Sequence, residues 1–116
     1  MPGRRFLLDT FFVQALLNAR DTHHQQASAL LPEITSAAEV VVTEAVLIEI
    51  GDALSGALRQ LAAAFIRRCY TETNITVVSI DPPLLGRALE LYESRSDKAW
   101  GLTDCISFVV MREHAL

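Results

Sequence analysis

Three acidic side chains stand at points of the sequence where solvation alone does not explain them: Asp9, Glu49 and Asp104. Asp9 directly follows an apolar run, Glu49 lies inside another (residues 45–50), and Asp104 precedes a third. Acids gathered in one pocket repel each other unless a cation is bound, and carboxylate oxygens with water are the ligands that Mg²⁺ and Mn²⁺ prefer. Such a cluster is suited to hydrolysis of a phosphodiester bond.

Each of these acids also has a structural interpretation. Asp9 and Asp104 could each cap the N-terminus of a helix. Glu49 is expected to be buried, because the helix around it is apolar on nearly every side. A buried carboxylate is costly unless an arginine or a metal ion pairs with it, so Glu49 predicts either a salt bridge or a metal site.

A fourth acid, Asp97, lies seven residues before Asp104, and the two flank Trp100 and Gly101. Asp97 is either a loop cap or a supporting residue of the same site. Trp100 is expected to pack this loop onto the core, and stacking on a single-stranded base is the alternative.

Strands and helices alternate along the chain. Apolar, β-branched runs predict strands at residues 5–8, 39–43 and 75–80. Helical spacing and capping signals predict helices at residues 11–18, 21–34, 44–54, 58–70, 82–94 and 102–111, with Asp21 and Asp81 as N-caps. Strands separated by helices pair in parallel through right-handed crossovers, which predicts an α/β fold with helices packed on a small parallel sheet.

The topology of this fold would bring the three acids together. In parallel sheets, functional groups gather at the carboxyl ends of the strands. Asp9 follows the first strand, Glu49 lies on the helix after the second strand, and Asp104 begins a helix that can point to the same edge. No glycine-rich phosphate loop, Ser-His-Asp set or paired-histidine zinc motif competes with this interpretation.

Composition limits the remaining possibilities. A chain of 116 residues that is 51% hydrophobic is expected to form one domain. It has neither an apolar run long enough to span a bilayer nor a signal-peptide pattern, so we expect a cytoplasmic protein. Cys69 and Cys105 are expected to be reduced core thiols. The net charge of −4 argues against a broad basic surface for nucleic acid, but a bound cation would reverse the charge of an acidic pocket locally.

The order of the segments LLDT, VVTEAVLIEI, VVSID and DKAWGLTDCISFVVMRE resembles that of the PIN-domain ribonucleases, most closely the VapC-like toxins of toxin–antitoxin modules. The resemblance spans essentially the whole chain. It implies a three-layer α/β/α arrangement in which Asp9, Glu49 and Asp104 bind the catalytic metal. Asp97 matches a position that is usually acidic in this subgroup, which implies a metal-binding role for it as well.

The resemblance also implies a function. The expected activity is that of an endoribonuclease toxin that requires Mg²⁺ or Mn²⁺, with RNA as substrate, a cognate antitoxin protein as partner and a homodimer as assembly. Relatives continue beyond the last helix into a further strand with another acid, so residues 1–116 are expected to be a single PIN-like domain that lacks this strand. The alternative is a catalytically impaired PIN-fold module that acts through dimerisation and antitoxin binding.

Overall fold

The computed structural model of the chain describes residues 3–116. Three strands lie within these residues: β1 (Arg5–Leu7), β2 (Glu39–Thr43) and β3 (Ile75–Val78). The helices described are α1 (Thr10–Leu17), α2 (His24–Ala29), α3 (Leu31–Thr35), α4 (Glu44–Ala53), α5 (Arg59–Thr71), α6 (Pro82–Ser94) and α7 (Leu102–Glu113).

The strands form one parallel sheet in the order β1-β2-β3. Phe6 is paired with Val40 across β1 and β2, and Val41 with Thr76 across β2 and β3. The valines of β2 are completely buried, as expected for the central strand of a parallel sheet that is covered on both faces. The predicted α/β class is therefore confirmed.

Helices cover both faces of the sheet. On one face, side chains of α1, α4 and α5 pack against Val40 and Val42. On the other face, α6 and α7 pack against Val41. This is the expected three-layer arrangement. Both cysteines are free thiols inside the core, as predicted, and burial raises the pKa of Cys69 to about 11.

The segment predicted as one helix at residues 21–34 is two short helices, α2 and α3, so that prediction was wrong. The helix is interrupted at Leu30 because Pro32, in the first turn of α3, has no N–H group to donate and its ring clashes with the carbonyl four residues before it. Asp21 is not an N-cap: its Oδ1 accepts the backbone N–H of His23 at 2.8 Å and forms a turn. Asp81 does cap α6, as predicted, since its Oδ1 accepts the N–H of Leu84 at 2.8 Å.

Strands β1 and β3 are shorter than predicted and end at Leu7 and Val78. Within residues 3–116, β1 pairs only with β2, so its second edge has no strand partner there. The guanidinium of Arg5 donates to the backbone carbonyl of His114 at 3.0 Å, which ties β1 to the end of α7. No helix in the described part of the chain combines the length and the apolar character that a membrane crossing requires.

Candidate active site

A pocket of about 410 Å³ opens between the end of β1, the start of α1 and one side of α7. Asp9 and Asp104 both line it, although they are far apart in the sequence. Asp9 is there because β1 ends two residues earlier, at the carboxyl edge of the sheet. Asp104 is there because α7 packs on the sheet with its first turn at this edge. The structure therefore brings two of the predicted site residues into one cavity.

Asp9 has both of the roles considered for it. Its backbone is extended, at φ −106° and ψ 167°, and its Oδ1 accepts the N–H of Phe12 at 2.7 Å, so it is the N-cap of α1. The second oxygen, Oδ2, accepts no hydrogen bond from the residues that the structure describes. This oxygen is available to a ligand, and the cap holds the carboxylate in place.

Asp104 is arranged in a similar way at the start of α7. The helix begins at Leu102, as predicted, but its N-cap is Gly101 and not Asp104, which is the third helical residue. Its Oδ2 accepts the N–H of Gly101 at 2.9 Å, while Oδ1 has no protein donor among residues 3–116. The helix N-terminus stabilises a negative charge at this position. Asp104 thus also has one structural oxygen and one free oxygen.

Glu49 is exposed, so the expectation that it is buried was wrong. Helix α4 buries Ala45, Val46, Leu47 and Ile50 and turns Glu49 and its neighbour outward. That neighbour, Ile48, is 63% exposed, and its apolar character made the outer face look like core.

Glu49 is nevertheless joined to the pocket. Its Oε1 accepts the hydroxyl proton of Thr10 at 2.6 Å, and Thr10 is a lining residue. Glu49 forms no ion pair with any arginine or lysine in the described part of the chain. It therefore lies at the rim of the pocket, unneutralised, and is not itself among the residues described as lining it.

Asp97 has a different environment. Its two oxygens accept hydrogen bonds from Nε and Nη2 of Arg95 at 3.0 and 3.1 Å. This bond to the guanidinium holds the pKa of Asp97 below its usual value. The carboxylate is exposed in the loop between α6 and α7 and does not belong to the described lining of the pocket. The structure therefore gives Asp97 an ion-pair partner and does not bring it together with Asp9 and Asp104.

Three hydroxyl groups of the pocket were not predicted from the sequence. Thr10, Thr103 and Ser107 all line it. Ser107 is one of the few buried polar residues and lies one helical turn after Thr103. A signal for it was present: polar residues recur three to four positions apart within an otherwise apolar helix, which marks a polar stripe on that helix.

The carboxylates of the pocket have suitable donor atoms for a metal ion, but they do not converge on one point. Among residues 3–116, no three acidic, histidine or cysteine side chains converge closely enough to hold a metal ion as they stand. The donor chemistry does fit, because Asp9, Glu49 and Asp104 each use one carboxylate oxygen in a protein hydrogen bond and keep the other free. Carboxylate oxygens are the ligands that hard divalent cations prefer. To share one ion, the three carboxylates would have to lie closer together than they do in this structure.

Comparison with known proteins agrees with this fold. The profile of the PIN domain matches residues 6–116. The crystal structure of Mycobacterium tuberculosis VapC20, described as a toxin that cleaves the sarcin-ricin loop, superimposes with a TM-score of 0.83 at 26% sequence identity. The match covers 97% of this chain and 85% of that one. No curated protein sequence matches the chain. The fold and the extent of the profile match together show that this chain belongs to the PIN domain family and resembles its VapC toxins.

Proposed function

We propose that this protein is a divalent-metal-dependent endoribonuclease of the toxin type. Membership of the PIN family and the likeness to a VapC toxin support nuclease activity in general. The observation that carries the finer proposal is the pocket at the carboxyl end of β1. Two carboxylates from opposite ends of the chain line it, each with a free oxygen and without a basic partner among residues 3–116.

Asp9, Glu49 and Asp104 would hold Mg²⁺ or Mn²⁺. Such an ion, when bound, supplies a water of lowered pKa and stabilises the charge that develops on the leaving oxygen. The protein's own groups position these acids and the substrate. The cap of α1 fixes Asp9, and the Thr10 hydroxyl orients Glu49. Thr103 and Ser107 line the same cavity, and their hydroxyls would donate hydrogen bonds to phosphate oxygens there.

The substrate and partners are proposed from the comparison. VapC20 is described as cleaving the sarcin-ricin loop, so an RNA hairpin of that type is the first substrate to test. A cognate antitoxin and a second copy of the chain are the proposed protein partners. Large apolar side chains on the surface support a protein partner, since Phe11, Ile48 and Tyr70 are each more than half exposed.

The test is cleavage of an end-labelled RNA hairpin with Mn²⁺ or Mg²⁺ and with EDTA. We expect metal-dependent cleavage that falls at least about a hundredfold, equivalent to about 2.7 kcal/mol, in Asp9→Asn and in Asp104→Asn. Asparagine still accepts a hydrogen bond at an N-cap, so Asp9→Asn removes the charge and keeps the cap of α1. The matched control is Asp81→Asn, which makes the same change at an N-cap that does not line the pocket and should cleave like the wild type.

Thermal unfolding with and without Mn²⁺ separates the two candidate functions. Because no three acids converge in the described residues, a catalytically impaired module that works through its partners is the competing interpretation. A wild-type protein that cleaves no RNA and gains no thermal stability from Mn²⁺ would refute the proposal in favour of that module. If Mn²⁺ raises the thermal stability of the wild type but not of Asp9→Asn, and the wild type cleaves no RNA, the metal site would be supported and the ribonuclease activity refuted.

A further inference from the structure

An aromatic pair extends the wall of the pocket toward the loop between α6 and α7. Phe108 lines the pocket from α7. The ring of Trp100 packs edge-on against Phe108, with the ring centroids 4.7 Å apart and the planes at 64°. Trp100 also packs against the core cluster on this face of the sheet. The tryptophan therefore packs its loop onto the core, as predicted, and contacts a residue that lines the candidate active site.

Two cations lie over the indole ring of Trp100. The guanidinium carbon of Arg95 is 5.2 Å from the ring centroid, and Nζ of Lys98 is 5.9 Å from it. Both distances are within the range in which the ring quadrupole attracts a positive charge. The tryptophan therefore holds two flexible basic side chains next to the pocket. Because they lie over the ring, this arrangement favours binding of an anion over stacking of a base.

These two cations differ in what balances their charge. Arg95 forms the two hydrogen bonds to Asp97 described above, so its charge is offset locally. Lys98 forms no ion pair with any acid in the described part of the chain. Arg5, which lines the pocket, is occupied by Glu39 at 2.8 Å and by the carbonyl of His114. Lys98 is thus a cation over Trp100, the ring that packs against the pocket-lining Phe108, and it is still available to a ligand.

We infer that Lys98, held on Trp100, binds a backbone phosphate of the RNA strand that enters the pocket. This inference rests on the proposed ribonuclease function and names a residue that binds its substrate. A strand that approaches Asp9 and Asp104 is repelled by them, and the chain as a whole carries a net charge of −4. An ammonium group held over Trp100 offsets that repulsion where the strand enters. Arg95 and Asp97 position the loop, and Trp100 positions the ammonium group.

The test is binding of a fluorescein-labelled single-stranded RNA, measured by anisotropy in EDTA so that no cleavage occurs. We expect Lys98→Ala to weaken the Kd about three- to tenfold and to reduce the slope of log Kd against log salt by about 0.7, the value for one phosphate contact on a single strand. The matched control is Arg67→Ala, which removes an exposed, unpaired cation from α5 on the opposite face of the sheet. It should leave the salt slope unchanged. An equal loss of slope in both variants, or in neither, would overturn the inference.

Trp100→Leu tests the role of the aromatic ring, because it retains Lys98 and removes the surface that holds it. We expect it to weaken RNA binding as Lys98→Ala does, and the two changes combined to add little. Lys98→Gln, which removes the charge and retains a polar side chain, guards against loss of folding and should behave like Lys98→Ala. Additive losses in the double variant would contradict the positioning role of Trp100.

Cleavage kinetics separate this inference from the proposed function. If the wild type cleaves RNA and Lys98→Ala has an unchanged KM and Kd, the phosphate contact is wrong and the ribonuclease activity stands. If RNA binding depends on Lys98 but no RNA is cleaved with Mn²⁺ or Mg²⁺, the phosphate contact of Lys98 is supported and the proposed ribonuclease activity is refuted. If both are right, Lys98→Ala raises KM and leaves kcat nearly unchanged, because the contact is made equally before and during the reaction.

Discussion

At the scale of single residues, the candidate site is built from carboxylates that divide their two oxygens between structure and ligand. Asp9 caps α1 with Oδ1, and Asp104 accepts the N–H of Gly101 with Oδ2. The protein hydrogen bond fixes the direction of each side chain, while the second oxygen stays free. Capping and metal binding, which appear as alternatives in the sequence, are therefore compatible in the same residue. An asparagine replacement separates them, since it keeps the cap and removes the charge.

Thr10 offers a test of how Glu49 is positioned. Its hydroxyl donates to Oε1 of Glu49 at 2.6 Å and links that acid to the pocket. Replacing the hydroxyl by a methyl group in Thr10→Val removes this donor with little change of volume. Loss of a residue that orients a metal ligand commonly weakens affinity about 10- to 100-fold, and we expect the same for Mn²⁺ here. The Mn²⁺ affinity is measured from the rise of the thermal unfolding midpoint with increasing Mn²⁺ concentration.

Thr73→Val is the matched control for this change. Thr73 is an exposed threonine in the turn before β3 and should bind Mn²⁺ like the wild type. A Thr10→Val variant with wild-type Mn²⁺ affinity would show that Glu49 does not depend on this hydrogen bond. In that case the contribution of Glu49 to the site would have to be tested by its own replacement.

The sequence located part of the site because of where the acids stand relative to the strands. Asp9 follows a strand, and Asp104 lies in the first turn of a helix that packs on the same sheet, so parallel topology alone brings them to one edge. The exposure of Glu49 was missed because Ile48 is apolar but exposed. The pairing of Asp97 was also missed, although Arg95 stands only two residues away and a local ion pair was a simple explanation.

At the scale of secondary-structure elements, a polar network ties the three strands together. Glu39 on β2 accepts hydrogen bonds from the guanidinium of Arg5 on β1 and, at 2.7 Å, from the hydroxyl of Thr76 on β3. The Thr76 bond, followed by the Arg5 bond, lowers the pKa of Glu39 below its ordinary value of 4.5. The carboxylate form is therefore favoured by folding and contributes to stability.

This network predicts a pH dependence. Because the folded pKa of Glu39 is below 4.5, its contribution is fully present above that pH and is lost as the pH falls through the folded pKa. We expect Glu39→Gln to lower the free energy of unfolding by about 1 kcal/mol at pH 7, a modest value because both partners are partly exposed. Urea unfolding of both proteins should show the difference shrinking below pH 4.5.

Glu33→Gln is the matched control, because it breaks a more exposed arginine–glutamate pair formed by the neighbouring Arg4. An exposed pair with a single bond is expected to contribute little, so the free energy of unfolding should change by less than about 0.5 kcal/mol at any pH. If the Glu39→Gln difference were the same at pH 3 and pH 7, the stabilisation would not come from the ionised carboxylate.

The elements themselves were largely predictable, and the exceptions have local causes. The valine run of β2 and the Asp81-Pro82 start of α6 are strong signals because each rests on backbone preference. The break between α2 and α3 depends on Pro32, which the apolar spacing concealed. The early ends of β1 and β3 depend on where the pairing with β2 stops, which is a tertiary property that one segment does not contain.

At the scale of the whole molecule, two apolar clusters lie on opposite faces of the sheet and share its central strand, β2. One contains Val40 and Val42 with residues of α1, α4 and α5, and the other contains Val41 with residues of α6 and α7. Neither layer of helices can stay packed if the central strand leaves. The two clusters should therefore unfold together, in a single cooperative transition.

The tryptophan makes this testable, since Trp100 is the only one in the chain and packs against the cluster of α6 and α7. Ile50 is completely buried in the other cluster. Ile50→Ala should lower the free energy of unfolding by about 2–5 kcal/mol, because it leaves a cavity in the core. The urea midpoint of the transition followed by tryptophan fluorescence, which reports on the opposite face of the sheet, should fall by the same amount as the midpoint followed by far-UV circular dichroism.

The matched control lies on the same helix: Ile48→Ala removes the same atoms from a side chain that is 63% exposed. It should change the free energy of unfolding by less than about 0.5 kcal/mol. If Ile50→Ala moved the circular dichroism transition but left the tryptophan transition in place, the two faces would unfold independently. The candidate site would then not depend on the first cluster as a whole, even though Asp9 and Glu49 are attached to helices of that face and Asp104 to the other. A single shared transition instead means that a destabilising change in the core of either face lowers the stability of the whole candidate site, because the acids of both faces are lost in the same unfolding step.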